Sequence, residues 1–248
     1  MLAPPTLAPP PPGLLDGASL FLDFDGTLVA LAPRPDAVVV APELRTLLHR
    51  VGAALGGRVA IVSGRSVEQV DAFLGDAIAD WAVVGSHGAE IRERGGAVTR
   101  PDRPHALDAA ERAFRDRFGD TDGVVIEVKS LGVAIHYRLA PAVEDEARAL
   151  VERFAGEEGL AVQHGKMMAE LRMPGHDKGT AIRSLATRAP FAETRPVFAG
   201  DDLTDEAGFA AVAELGGAGV LVGPDRETAA RYRLDDVAAV LRWLEALA

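Results

Sequence analysis

The chain contains no cysteine, which excludes disulfides, thiolate nucleophiles and thiolate metal sites. That absence fits a reducing cytoplasm, the expected location. Long apolar runs are also missing, so no segment is expected to span a bilayer. Positive charge is the minority sign: 26 Lys and Arg stand against 37 Asp and Glu, a formal net charge of −11. Such a balance argues against nucleic acid or an anionic membrane as the main partner. It leaves room for an anionic substrate, because a local cation and a few basic residues can reverse the potential inside a cleft. The amino-terminal stretch, residues 1–13, is rich in proline and alanine but has no basic region and no apolar core. It is expected to be a disordered, solvated tail and neither a signal peptide nor an anchor.

A chain of 248 residues, 48% of them hydrophobic, can bury the core of one large domain or two modest ones. The stretch that organises it is Ser19-Leu20-Phe21-Leu22-Asp23-Phe24-Asp25-Gly26-Thr27-Leu28. A short apolar run reads as a buried strand and ends in two carboxylates and a glycine. Residues two apart on an extended chain point the same way, so Asp23 and Asp25 leave the strand end together. Gly26 lets the backbone turn sharply there. Two clustered carboxylates invite a hard cation such as Mg²⁺. With one cation shared, one carboxylate can attack phosphorus while the other moves protons. The bland alternative is a turn after a core strand.

Downstream, a helical pattern from Pro42 to Leu55 ends at Gly56-Gly57, and Arg58 to Val62 reads as the next strand. Ser63-Gly64-Arg65 follows it, and Ser66 with Gln69 forms a capping box for a helix to Leu74. Because Ser66 fills the cap, Ser63 is free to give its hydroxyl proton to a phosphoryl oxygen. Arg65 reads either as a surface charge or as an anion clamp. A third strand, Trp81 to Gly85, delivers His87 between glycines at its end, with Glu90 after it. A small hairpin then turns at Gly95-Gly96. Beyond residue 174, Lys178 stands at the start of a helix, where a cation is mildly unfavourable. That placement predicts a nearby negative group. A last strand, Arg195 to Ala199, precedes Gly200-Asp201-Asp202-Leu203-Thr204-Asp205-Glu206, an aspartate clustering that asks for a cation or a lysine.

Between these halves the alternation breaks. A helix from His105 to Phe118, strands Val124–Lys129 and Val133–Arg138, a helix Pro141–Glu158 and strands Leu160–His164 and Met167–Arg172 describe an α+β module. Its strands alternate, with Val124, Ile126 and Val128 on an apolar side. The other face carries Glu127, Lys129, His136, Arg138, Glu170 and Arg172. That face is either ordinary solvated surface or a polar roof that binds hydroxyls, which suits a sugar. The fold expected is α/β, a doubly wound, mostly parallel sheet over residues 14–102 and 175–248, with an inserted α+β cap at 103–174. Proline and glycine near Pro101–Pro104 and Pro174–Gly175 predict linkers that let the cap move.

Asp23-x-Asp25-Gly26-Thr27, Ser63, Lys178 and Gly200-Asp201-Asp202-x-x-Asp205 resemble, in order and spacing, the four motifs of the haloacid-dehalogenase-like phosphatases. Within that superfamily the chain resembles the trehalose 6-phosphate phosphatases from about Ser19 onward. The supporting stretches are Ile61-Val62-Ser63-Gly64-Arg65, Gly85-Ser86-His87-Gly88-Ala89-Glu90, Gly165-Lys166-Met167-Met168-Ala169-Glu170-Leu171-Arg172 and 200–206. The resemblance implies hydrolysis of a sugar phosphate at the last step of trehalose biosynthesis. It implies Asp23 as nucleophile and Asp25 as acid and base. Mg²⁺ would be held by the Asp23 carboxylate, the Asp25 carbonyl and Asp201, supported by Asp202 and Asp205. Ser63, with Gly64 beside it, and Lys178 would hold phosphoryl oxygens. Sugar recognition would fall to Lys129, Arg138, Lys166 and Glu170 on the cap and Arg65, His87 and Glu90 on the core. Two alternatives stay open: a sibling phosphatase for sucrose 6-phosphate or a glucosyl- or mannosyl-glycerate phosphate, and a non-catalytic sugar-phosphate sensor. A monomer or weak dimer is expected.

Overall fold

In the computed structural model, which describes residues 7–32, 34–165 and 167–247, the chain forms two compact units. The first contains β1 (Ala18–Leu22), α1 (Pro42–Ala54), β2 (Val59–Val62), α2 (Val67–Leu74), β3 (Ala82–Gly85), β4 (Glu90–Arg92) and β5 (Val98–Thr99). The second contains α3 (His105–Phe118), β6 (Val125–Lys129), β7 (Gly132–His136), α4 (Glu144–Glu158), β8 (Ala161–Gly165) and β9 (Met168–Arg172). The chain then returns to the first with α5 (Lys178–Ala186), β10 (Arg195–Gly200), α6 (Glu206–Glu214), β11 (Ala218–Val222), β12 (Tyr232–Leu234) and α7 (Val237–Glu245).

In the first unit, β1, β2 and β11 are buried at every residue, as apolar runs in a sheet covered on both faces must be. The sheet order is β12-β11-β10-β1-β2-β3-β4-β5. From β12 to β3 the strands run parallel, while β4 runs antiparallel to β3 and β5 antiparallel to β4. The chain leaves β1 in one direction to β2 and β3, and later resumes on its other side with β10. That reversal opens a crevice at the carboxyl ends of β1 and β10, where ligands of such sheets bind. Phe21 stacks on Phe191 with centroids 5.2 Å apart, and Phe198 lies 5.3 Å from Phe209. Each such ring, fully buried, contributes roughly 1.5–3 kcal/mol, which makes the strands under the site a rigid base.

The solvated tail expected over residues 1–13 does not extend through its described part. Leu7 packs against the core of the first unit, and Arg233 N donates to Ala8 O at 3.0 Å. An apolar leucine and a spare carbonyl at the edge of β12 give the segment a docking place that composition alone hides; residues 1–6 lie outside the described residues. Among the described residues no helix is long and apolar enough to cross a membrane.

The second unit spans residues 32–38 and 101–176, two residues beyond 103–174 at each end. Its antiparallel sheet has the order β6-β7-β9-β8. Leu107, Phe114 and Phe118 of α3 and Val151 of α4 cover one face, against Val133, Ile135 and Leu171. Across the other face Glu127, Ala134, Glu170 and Gln163 lie in register, followed by Lys129, Gly132 and Arg172. Three expectations need correction. Val124 and Ile126 pack on the apolar core, but Val128, on the edge strand, is 40% exposed. β7 stops at His136, because Ala140 N bonds Tyr137 O at 3.0 Å and closes a turn; Arg138 sits in that turn and not on the strand. Pro141–Val143 is a separate 3₁₀ turn, so α4 begins at Glu144.

Candidate active site

Asp23 follows β1 directly, and its N–H donates to Ala199 O at 2.9 Å, extending the β1–β10 ladder past the strand. The same ladder brings Gly200 and Asp201 alongside. Gly26, with φ +78°, takes the turn, and a Cβ there would lie 2.2 Å from Asp201 Oδ2. Only glycine lets the two loops approach this closely. Carboxylate oxygens of Asp23, Asp201 and Asp205 come within 4.8 Å of one another. The spacing, the all-oxygen donor set and the burial of Asp23 and Asp205 fit a hard divalent cation. The Asp25 side chain is turned elsewhere.

Lys178 opens α5, with Asp177 and Thr180 forming its capping box. The negative group that its position asks for is a pair of carboxylates: Nζ lies 2.8 Å from Asp23 Oδ1 and 2.7 Å from Asp205 Oδ1. Burial works against the Lys178 charge, but Asp205 and Asp23 outweigh it and hold the pKa above the ordinary lysine value. Burial also pushes the Asp23 carboxyl well up; Lys178 opposes this, and the charges of Asp205 and Asp201 reinforce it. Asp201 is raised to about 7, by burial first and by Asp205 next. With all three ionised, as a bound cation would favour, three carboxylates against one ammonium leave two excess negative charges, the complement of a divalent ion. Asp205 rests on the bare Cα of Gly200, where a Cβ would come within 2.3 Å of its Cγ. Its Oδ2 accepts from Asp202 N at 2.9 Å, while Asp202 caps the turn Leu203–Asp205 by accepting from Leu203 N at 2.7 Å.

Ser63 follows β2 and is buried. Its Oγ accepts from Arg65 N at 3.1 Å, which leaves its own proton available for donation. The Ser66–Gln69 capping box forms as the sequence indicated. Arg65 does not lie on the surface: it is 7% exposed and forks onto Asp25, Nε to Oδ2 at 2.6 Å and Nη2 to Oδ1 at 2.8 Å. Its guanidinium also lies over Phe73 at 4.9 Å and Phe24 at 5.7 Å from the ring centroids. Two aromatic faces and a planar fork fix its direction.

His87 occupies the left-handed region at φ 54°, next to Ser86 at φ 49°, a strain of the sort found where a side chain must be aimed. The imidazole lies on Gly64, where a Cβ would meet Cε1 at 2.5 Å; Gly64 is therefore a spacer for the ring. Glu90 is buried, and its Oε2 accepts from Val67 N at 2.8 Å, tying it to the first turn of α2.

In the second unit, Lys129 Nζ and Glu170 Oε2 form a buried pair at 2.6 Å. Gly132 makes room for it, since a Cβ there would reach Glu170 Oε1 at 2.5 Å. Glu127 pairs with His136 at 2.8 Å. Lys166 lies outside the described residues. Phe24, Phe73 and Glu206 were not singled out from the sequence. Phe24 sits inside the first motif and was legible by position, whereas nothing local marks Phe73.

Comparison with known proteins agrees with this arrangement. A family model described as Trehalose-phosphatase matches residues 21–238. A probable trehalose-phosphate phosphatase of Sinorhizobium fredii is 39% identical, over 85% of this chain and 79% of its own length. The trehalose-6-phosphate phosphatase of Escherichia coli is 38% identical, over 91% of this chain and 84% of its own. Among solved structures, a trehalose-6-phosphate phosphatase related protein superposes with a TM-score of 0.78 at 30% identity, covering 92% of this chain and 96% of that one. A doubly wound sheet carrying an inserted α+β unit, the acids gathered at its switch point and a family match over most of the length together show that this chain belongs to the trehalose-phosphatase family.

Proposed function

We propose that the protein is a Mg²⁺-dependent phosphatase that hydrolyses trehalose 6-phosphate to trehalose and inorganic phosphate through an aspartyl-phosphate. The observation that carries this reading is Lys178, held within 2.8 Å of both Asp23 and Asp205 while Asp201 completes the carboxylate cluster. Asp23 attacks phosphorus through one oxygen, and the bond from phosphorus to the sugar oxygen breaks. Asp25, turned off the Arg65 fork and entering this step in its acid form, gives that oxygen a proton. In the second half Asp25 takes a proton from water, the hydroxide attacks phosphorus, and the bond to Asp23 breaks, regenerating both acids. Asp23 and Asp201 would hold Mg²⁺, with the Asp25 carbonyl completing the set named by the resemblance. When bound, the ion supplies charge neutralisation at the phosphoryl oxygens.

Around that centre each residue has a separate task. Lys178 and the Ser63 hydroxyl meet the remaining phosphoryl charge. Asp205 keeps Lys178 in place, and Asp202 keeps Asp205 in place. Arg65 sets the direction in which Asp25 faces before substrate arrives. Recognition of sugar hydroxyls is assigned to Lys129, Arg138, Lys166 and Glu170 of the inserted unit and to His87 and Glu90 of the core. Sites built to bond a hydroxyl discriminate strongly against analogues that lack it. A panel of sugar phosphates tests the assignment. Preference for trehalose 6-phosphate by orders of magnitude supports it; comparable preference for sucrose 6-phosphate or a glycosyl-glycerate phosphate replaces it.

A further inference from the structure

Arg226 lies in the connection between β11 and β12, outside the four motifs and apart from the reacting atoms. Its guanidinium nevertheless grips the acidic loop twice. Nη2 donates to Asp202 O at 2.8 Å, and Nη1 pairs with Glu206 Oε1. The other oxygen of Glu206 accepts from Ala229 N at 2.8 Å, so that carboxylate bridges α6 to the same connection. Asp202 O also accepts from Asp205 N at 3.1 Å, while Asp202 N donates to Asp205 Oδ2 at 2.9 Å. One side chain thus holds the loop where it leaves Asp201 and again where α6 begins, with Asp205 between the two anchors.

We propose that Arg226 is a positioning residue that sets the affinity of the Asp23–Asp201–Asp205 cluster for its cation. The proposal rests on the function proposed above and extends it to a residue that none of the four motifs contains. Glu206 balances the Arg226 charge; removing Arg226 alone leaves one more negative charge nearby, which by itself would tighten cation binding, so a weakened affinity reports lost geometry. Outer partners that orient metal ligands are typically worth about 10-fold to 100-fold in affinity. Arg226 acts through one intervening peptide, so the lower end is expected.

The test compares wild type, Arg226→Met, Arg226→Lys and Arg183→Ala. Arg183 pairs with Glu214 at the other end of α6, at 2.7 Å, where both side chains are well exposed; its loss reports general weakening of that helix. Two readouts are taken: the Mg²⁺ concentration at half-maximal thermal stabilisation, and phosphate release from trehalose 6-phosphate against Mg²⁺. Arg226→Met should raise both midpoints about 10-fold while leaving the sugar-phosphate KM at saturating Mg²⁺ unchanged. Arg226→Lys should recover part of the difference, and Arg183→Ala should match wild type. Equal midpoints for Arg226→Met and wild type overturn the proposal, as does an equal shift in Arg183→Ala. A wild type that shows no response to Mg²⁺ in either readout overturns the proposed function as well.

Discussion

Replacing Asp201 by asparagine should make the metal-free protein more stable while removing its response to Mg²⁺. Burial and the Asp205 charge raise the Asp201 carboxyl from 3.8 to about 7. A group with a raised folded-state pKa stabilises the fold below its unfolded value and costs stability as pH climbs toward the folded one. The window here runs from about pH 4 to about pH 7, at about 1.4 kcal/mol per pH unit. Above it, an ionised Asp201 costs the metal-free fold up to about 4 kcal/mol, a ceiling because the carboxylates of the cluster share the repulsion. Asparagine keeps the shape and has no charge to repel. Urea unfolding in EDTA should therefore show Asp201→Asn gaining on wild type as pH rises from 4 to 8, with the gap widest above pH 7. Saturating Mg²⁺ should stabilise wild type and leave the variant unmoved. A constant difference between the two proteins across that range would refute the electrostatic account of the cluster.

Other substitutions separate the remaining roles. Lys178→Met should abolish phosphate release and cost about 3–5 kcal/mol, since it leaves two buried carboxylates facing each other; a folded protein with more than a hundredth of wild-type turnover would contradict this. Gly26→Ala forces a Cβ toward Asp201 and imposes φ +78° on a residue with a side chain; Mg²⁺ affinity should fall, as read by the thermal shift. Arg65→Lys keeps the charge but loses the fork on Asp25 and the planar stacking, so kcat should drop with KM little changed. Lys129→Met should raise KM for trehalose 6-phosphate while sparing hydrolysis of p-nitrophenyl phosphate, which has no sugar hydroxyls; equal losses on both substrates would remove sugar recognition from that residue.

Asp23 and Ser63 stand one residue past an apolar run and Asp201 two, after Gly200, and parallel strands bring those ends to one edge. Their convergence was therefore legible from hydrophobic pattern and chain order. Lys178 at an electropositive helix start announced that a negative partner existed, though not that there were two. Arg65 shows where such reading stops. Its partner is 40 positions away, its second aromatic face comes from Phe73, and neither leaves a local trace. The same holds for Arg226, whose contacts depend on how the β11–β12 connection folds back on the acidic loop. In the inserted unit, two-residue alternation placed Lys129 and Glu170 on one face. It did not show that Val128 lies at an exposed edge, because edge position is a property of strand order and not of sequence.

Phosphate release from trehalose 6-phosphate, measured with Mg²⁺, after EDTA and again after Mg²⁺ is restored, tests the central claim that the carboxylate cluster and Lys178 form a metal-assisted phosphatase site. The account predicts release in Mg²⁺, its loss in EDTA and its return on readdition, with Asp23→Asn inactive throughout. Release undiminished by EDTA, or retained by Asp23→Asn, would contradict it.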